Sequence, residues 1–168
     1  MKNIFFILIV IVFLVIGFFL ITERNIWTSD VQVKNLEINK IQYVKIAGQI
    51  IKVDLALTLE TQSQGLSGRK DLKEDEGMLF VFSAQGGSAS GGEINNRHYF
   101  WMKDMNFPID IIWFGEDLKV VYIEKNAQPV SFPTTFGPEE DSKYVLEVIS
   151  GFSEKNNLKE GNKVEFLP

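Results

Sequence analysis

Phe100–Phe114 reads FWMKDMNFPIDIIWF, and its two apolar runs meet at Asn106-Phe107-Pro108. Proline has no backbone N–H and disfavours helical geometry at the residue before it, so Phe107 is held extended and the corner is fixed. Tyr99–Met105 (YFWMKDM) and Ile109–Phe114 (IDIIWF) therefore predict two strands on either side of a bend. In the first, Trp101 shares strand parity with Tyr99, Lys103 and Met105, whereas Phe100 and Met102 take the other face. One face of that strand is expected to be partly open.

Working outward, Ile41–Ala47 and Ile50–Leu57 read as strands joined by a Gly48-Gln49 turn. Ile51, Val53, Leu55 and Leu57 alternate with Lys52 and Asp54, the period of a half-buried strand. Thr58 is placed as an N-cap and Gly65 as the stop of one short helix. Arg69–Glu76 reads as a charged loop hinged at Gly77. Met78–Phe82 is apolar on both faces, as a strand covered on both sides must be. Ser83–His98 is rich in Gly, Ser and Asn and predicts a loop, either a flap over a site or a tolerated insertion.

Downstream, Lys119–Ile123 pairs back after a Gly115–Leu118 turn, and Asn126–Asp141 is an irregular excursion holding Pro129, Pro133 and Pro138. Lys143–Ile149 and Gly161–Leu167 are strands, with a short helix or turn at Phe152–Leu158. The pattern predicts a mainly β domain over residues 41–168. It is a sandwich or barrel-like antiparallel fold with one short helix.

Ile4–Ile21 (IFFILIVIVFLVIGFFLI) carries no charge and no proline. It is near the lower length limit for spanning a bilayer, about 18 residues. The flanking sequence lacks the small-residue pattern of a cleavage site, so a single transmembrane signal anchor over 1–21 is expected rather than a cleaved signal peptide. Lys2 and the α-amino group precede the span while Glu23 and Arg24 cancel after it. That bias places the N-terminus inside and the domain outside the cell membrane. Residues 22–40 read as a linker lifting the domain off the membrane.

The net charge of −5 and the lack of any Lys/Arg run speak against nucleic acid as a partner, because phosphate backbones require cationic neutralisation. With no cysteine, thiol catalysis, disulfides and Cys-based zinc sites are excluded. His98 is the single histidine and has no partner in sequence for a zinc site or a Ser-His-Asp arrangement. No cofactor or metal is expected, and no catalytic residue is assigned.

Five residues stand as candidate ligand-binding positions: Trp101, Lys103, Asp104, Asp110 and Glu147. Asp110, just past Pro108, reads either as a general base or metal ligand, or as an acceptor for turn N–H groups. Glu147 is placed on the polar face of its strand, and the two carboxylates would serve acid/base chemistry if they met across the sheet. Tyr99, Trp101, Trp113 and Tyr122 read either as core or as an exposed stacking platform for sugars or peptide groups.

Five blocks, taken together, resemble a known family. They are Val53–Arg69 (VDLALTLETQSQGLSGR), Glu76–Phe82 (EGMLFVF), Phe100–Ile111 (FWMKDMNFPIDI), Tyr144–Gly151 (YVLEVISG) and Gly161–Val164 (GNKV). In this order they resemble the domain of unknown function 192 family. The resemblance implies a compact, mainly β domain often carried behind a signal or anchor segment, with no activity to transfer. Against the family pattern, Gln62 or a neighbour stands where an arginine is usual in the short helix, Ser67 where a methionine is, and Asn162 where an aspartate is. The expected function is a non-enzymatic, membrane-anchored extracytoplasmic module for a cell-envelope component, such as a glycan, or a partner protein. The alternative is a hydrolase or lyase using Asp110 and Glu147.

Overall fold

Alternating Val44, Ile46, Ile51 and Val53 bury one side of an antiparallel hairpin of β1 (Tyr43–Ile46) and β2 (Gln49–Ala56). Its tip is Ala47-Gly48, both with positive φ (49° and 78°), the two-residue turn that matches strand twist. The computed structural model that shows this describes residues 37–82 and 96–168. The expected anchor, most of the linker, and residues 83–95 of the expected loop lie outside the described residues. Among the described residues no helix is long and apolar enough to cross a membrane.

From β2 the chain enters α1 (Leu59–Gln64). Thr58 and Thr61 close a reciprocal cap at its start, and Gly65 (φ 50°) ends it. β3 (Glu76–Val81) follows, then β4 (Phe100–Trp101), β5 (Ile109–Phe114), β6 (Val120–Ala127) and β7 (Thr135–Phe136). The chain ends with β8 (Tyr144–Ile149), α2 (Phe152–Lys155) and β9 (Val164–Leu167). Seven strands form one sheet in the order β6-β5-β8-β3-β2-β1-β9, while β4 and β7 make a separate two-stranded ladder.

The sheet curls into a half-barrel. Val120 N–H donates to Asn162 O (3.0 Å) and Val164 N–H to Leu118 O (2.8 Å), so the two outer margins touch at one end. Phe166 on β9 lies 6.1 Å from Phe114 on β5 and 5.0 Å from Tyr144 on β8, which identifies the concave face. That face holds Val44, Ile46, Ile51, Val53, Leu79, Ile112, Leu146 and Val148, all buried. The convex face is also buried, with Ala56, Met78, Phe80, Ile111, Trp113 and Val145 under Leu66, Leu72 and Met102. Burying one such side chain stabilises by about 1.5–3 kcal/mol, so a sheet covered on both faces explains the apolar runs Met78–Val81 of β3 and Ile111–Phe114 of β5.

Of the two architectures expected, the barrel-like one forms: the main sheet is a curled half-barrel, not one half of a sandwich. Other expectations change. The strands are not all antiparallel, because β2 and β3 pair in parallel. The α1 crossover returns the chain to the end where β2 began, as a parallel pair requires. Among the described residues there are two short α-helices, because the helix or turn expected at Phe152–Leu158 forms a helix over Phe152–Lys155. The strand expected over Tyr99–Met105 stops at Trp101. Met105 N–H turns back to Met102 O (3.4 Å), and Asp104 has φ 55°, so the parity argument ends there.

Gly77 is not a hinge; it lies inside β3. A Cβ there would stand 2.7 Å from the Glu147 carbonyl and 3.2 Å from the Ile51 side chain. Gly77→Ala is expected to destabilise the fold by about 1–3 kcal/mol through overpacking, read as a lowered urea midpoint. An unchanged midpoint would show that neighbouring backbone can give way.

Candidate functional site

Asp110 and Glu147 are neighbours in sheet register yet face opposite ways. Asp110 pairs with Val148, and Ile111 pairs with Glu147. Successive residues alternate faces, so Asp110 takes the concave side and Glu147 the convex side. The expected meeting of the two carboxylates does not occur, and they cannot work as an acid/base pair on one substrate.

Asp110 is buried and fully engaged. Its Oδ1 accepts from Asn126 N–H (2.9 Å) and Gly151 N–H (3.2 Å), and its Oδ2 from Ser153 N–H (2.8 Å). Gly151 is the N-cap of α2 and has no side chain to cap with, so the carboxylate of a distant strand does that work. Of the two expected roles, the acceptor of turn donors is the one the geometry fits.

Glu147 is buried instead of lying on a polar face. Its Oε2 has no hydrogen-bond partner among the described residues. Burial pushes its carboxyl up to about 8, opposed only by the nearby Arg69 guanidinium. On the convex face Asp54, Met78 and Glu147 lie in one cross-strand row. Arg69 is ion-paired to Asp54 at the exposed end of that row. A Cβ at Gly65 would come within 3.8 Å of Glu147 Oε2 and 3.3 Å of Phe80, so the Gly65–Arg69 turn sits directly above the buried acid.

The outer side of that turn forms one wall of a depression of about 510 Å³, lined by Glu60, Ser63, Gln64, Ser67, Gly68, Trp101, Lys103 and Asp104. Three of the five sequence candidates, Trp101, Lys103 and Asp104, thus converge in one place. Two bonds clamp the walls together: Ser67 Oγ donates to Lys103 O (2.7 Å), and Gly68 N–H donates to Asp104 O (2.8 Å). Asn106 Nδ2 adds a bond to Arg69 O (2.7 Å). The Lys103 and Asp104 side chains make no ion pair among the described residues. A second depression of about 400 Å³ beside Gln49, Ile50, Asp75 and Asn156 contains none of the candidates, and its Lys155 is bonded to Glu74 (2.6 Å).

The aromatic set divides. Trp113 is wholly buried, its Nε1 donating to His98 O (2.7 Å), and Tyr122 packs against it at 5.4 Å. Trp101 is 51% exposed and Tyr99 54%. Phe132 braces Trp101 edge-on at 5.8 Å, which limits its rotamers. His98 stacks on Phe82 at 3.6 Å, and burial lowers its pKa against the raising influence of Asp141 and Ser142. No group of three or more acidic or histidine side chains able to hold a metal occurs among the described residues.

Sequence reasoning did not single out Ser63, Gln64, Ser67, Gly68 or the Arg69–Asp54 pair. The closely spaced glycines of Gly65-Leu66-Ser67-Gly68 were the available signal, since both adopt positive φ (50° and 77°).

Two outcomes follow. Asp110→Ala leaves three backbone donors without their acceptor, the Ser153 N–H of them buried, and is expected to cost about 1–3 kcal/mol, measured by denaturant unfolding. Glu147 binds its proton more tightly folded than unfolded, so its contribution is full below about pH 4.5 and is lost as pH rises through about 8. Glu147→Gln mimics the protonated acid and should remove this dependence. A stability difference between wild type and variant that stays constant from acid to mildly alkaline pH would overturn that account.

The comparisons agree with the fold. A structure of a protein of unknown function from Novosphingobium aromaticivorans DSM 12444 is 30% identical, with 74% of this chain and 84% of that one covered at a TM-score of 0.63. A second, from Sinorhizobium meliloti 1021 and named as a proposed transcription regulator, is 27% identical, covering 74% and 90% at a TM-score of 0.62. No curated protein matches the chain. The family model for DUF192, described as "Uncharacterized ACR", matches residues 42–166, the curled sheet except the last residue of β9, and the chain belongs to that family.

Proposed function

We propose that the protein is a non-enzymatic binding module, tethered by Ile4–Ile21 with its domain on the outer side of the cell membrane. Its groove is offered to an envelope component or partner protein. The observation that carries this reading is the convergence of Trp101, Lys103 and Asp104 with Ser63, Gln64 and Ser67 around one depression. These groups come from separate chain segments and are fixed to each other by backbone bonds. A half-exposed tryptophan beside polar groups free of ion pairs is what a recognition surface offers, whereas a core aromatic or a solvated charge would lack one or other part. The hydrolase or lyase alternative loses its support, because Asp110 is occupied by three N–H donors and Glu147 faces away from it. The acidic balance of the chain also gives no support to a nucleic-acid target.

The test is a thermal-shift screen of the full chain in detergent against glycans, peptides and metal ions. A ligand present at about a hundred times its Kd stabilises by about 2.7 kcal/mol, enough to move the unfolding midpoint by several degrees. A glycan or peptide hit whose shift disappears in Lys103→Ala/Asp104→Ala is the expected result. Hits indifferent to both substitutions would place recognition elsewhere on the domain.

A further inference from the structure

We infer that the groove takes a neutral saccharide, a pyranose ring lying against Trp101 with its hydroxyls meeting Lys103, Asp104, Ser63 and Gln64. This rests on the reading of the groove as the binding surface. The charged residues lining it are one cation, Lys103, and two carboxylates, Glu60 and Asp104. A phosphate or polycarboxylate would meet more negative than positive charge, so anionic ligands are disfavoured. A metal ion would need more converging ligands than are present. An apolar ligand would have to strip water from Glu60, Ser63, Lys103 and Asp104 without replacing their hydrogen bonds.

A sugar ring satisfies both features left. Its C–H face matches the flat apolar surface of an indole, and its hydroxyls both donate and accept. The groove supplies a cationic donor in Lys103, carboxylate acceptors in Glu60 and Asp104, and the hydroxyl of Ser63. The site is also prepared in advance. Phe132 holds the Trp101 ring at 5.8 Å, and the Ser67 and Gly68 bonds fix the Lys103–Asp104 turn, so little ordering is needed on binding. Gln64 Nε2 is committed to Ser67 O (2.7 Å), which leaves its carbonyl oxygen as the ligand-facing acceptor.

The experiment is calorimetric titration of the full chain in a non-glycosidic zwitterionic detergent. The probes are cello-, malto- and chito-oligosaccharides, with an oligogalacturonate and a short neutral peptide alongside. At least one neutral oligosaccharide is expected to bind. Trp101→Ala should weaken it about tenfold or more, and Trp101→Phe should recover part of the loss. The near-ultraviolet signal of buried Trp113 reports that each variant is folded. If the peptide alone binds and Trp101→Ala abolishes that binding, the saccharide class is overturned while the groove reading stands. If an oligosaccharide binds equally well to Trp101→Ala, the groove itself is the wrong surface. Failure of every neutral oligosaccharide, or preference for the oligogalacturonate, overturns the saccharide assignment.

Discussion

The carboxylate of Asp110 holds the curled sheet together at the point where the chain must leave it. β8 ends at Ile149, and the polypeptide has to turn, form α2 and reach the far margin to become β9. Gly151 makes that turn with φ 87° and caps α2 without a side chain. Asp110, from the adjacent strand, accepts the N–H groups of Gly151 and Ser153 there, and the N–H of Asn126 in β6 as well. Asn126 in turn accepts from Ser150 Oγ (2.7 Å) and Gln128 Nε2 (2.6 Å), so the exits of β6 and β8 are tied to one point. A buried carboxylate alone would cost several kcal/mol. Bonds to a charged acceptor contribute about 1.5–3 kcal/mol each, so three of them turn a liability into an anchor.

The same ladder carries the opposite case one residue away. Glu147 reaches the other face, and its Oε2 has no hydrogen-bond partner among the described residues. Two acids of similar size differ only in what the surrounding chain offers them. On the concave side, helix and strand termini supply N–H donors. On the convex side the covering turn supplies a glycine, a phenylalanine edge and an arginine already engaged by Asp54. The convex side is therefore stabilised less by polar satisfaction than by packing, and the groove lies on the outer surface of the same turn.

Local chemistry was legible in the residues. Thr58 caps α1, Gly65 ends it, and alternation placed Ile51 and Val53 on the buried side of β2. What depended on tertiary contacts was not. Trp101, Lys103 and Met105 looked like one strand face because their spacing is that of a strand. The Met102–Met105 turn exists because Gly68 and Ser67, more than thirty residues earlier, bond to the carbonyls of Asp104 and Lys103. Likewise Gly77 looked like a hinge because a glycine beside a charged loop usually is one, whereas its reason is the Glu147 carbonyl on a strand not adjacent in sequence. Parity within one strand can be read locally, but which face a carboxylate shares with another needs the register between strands.

The turn at Lys103–Asp104 also explains why Trp101 is half-exposed while Trp113 is not. Had the strand continued to Met105, its outward residues would have extended along a sheet edge. Instead β4 is two residues long, pairs with Thr135–Phe136, and ends in a reversal that swings Met102 into the core. Trp101, on the other side of the backbone, is pushed outward by that reversal and meets the ring of Phe132. Its exposure is thus a consequence of burying Met102, whose relative exposure is 1%. The anchor of the groove and the anchor of the local core are adjacent residues facing opposite ways. Any change that loosens Met102 from the core must also displace the tryptophan.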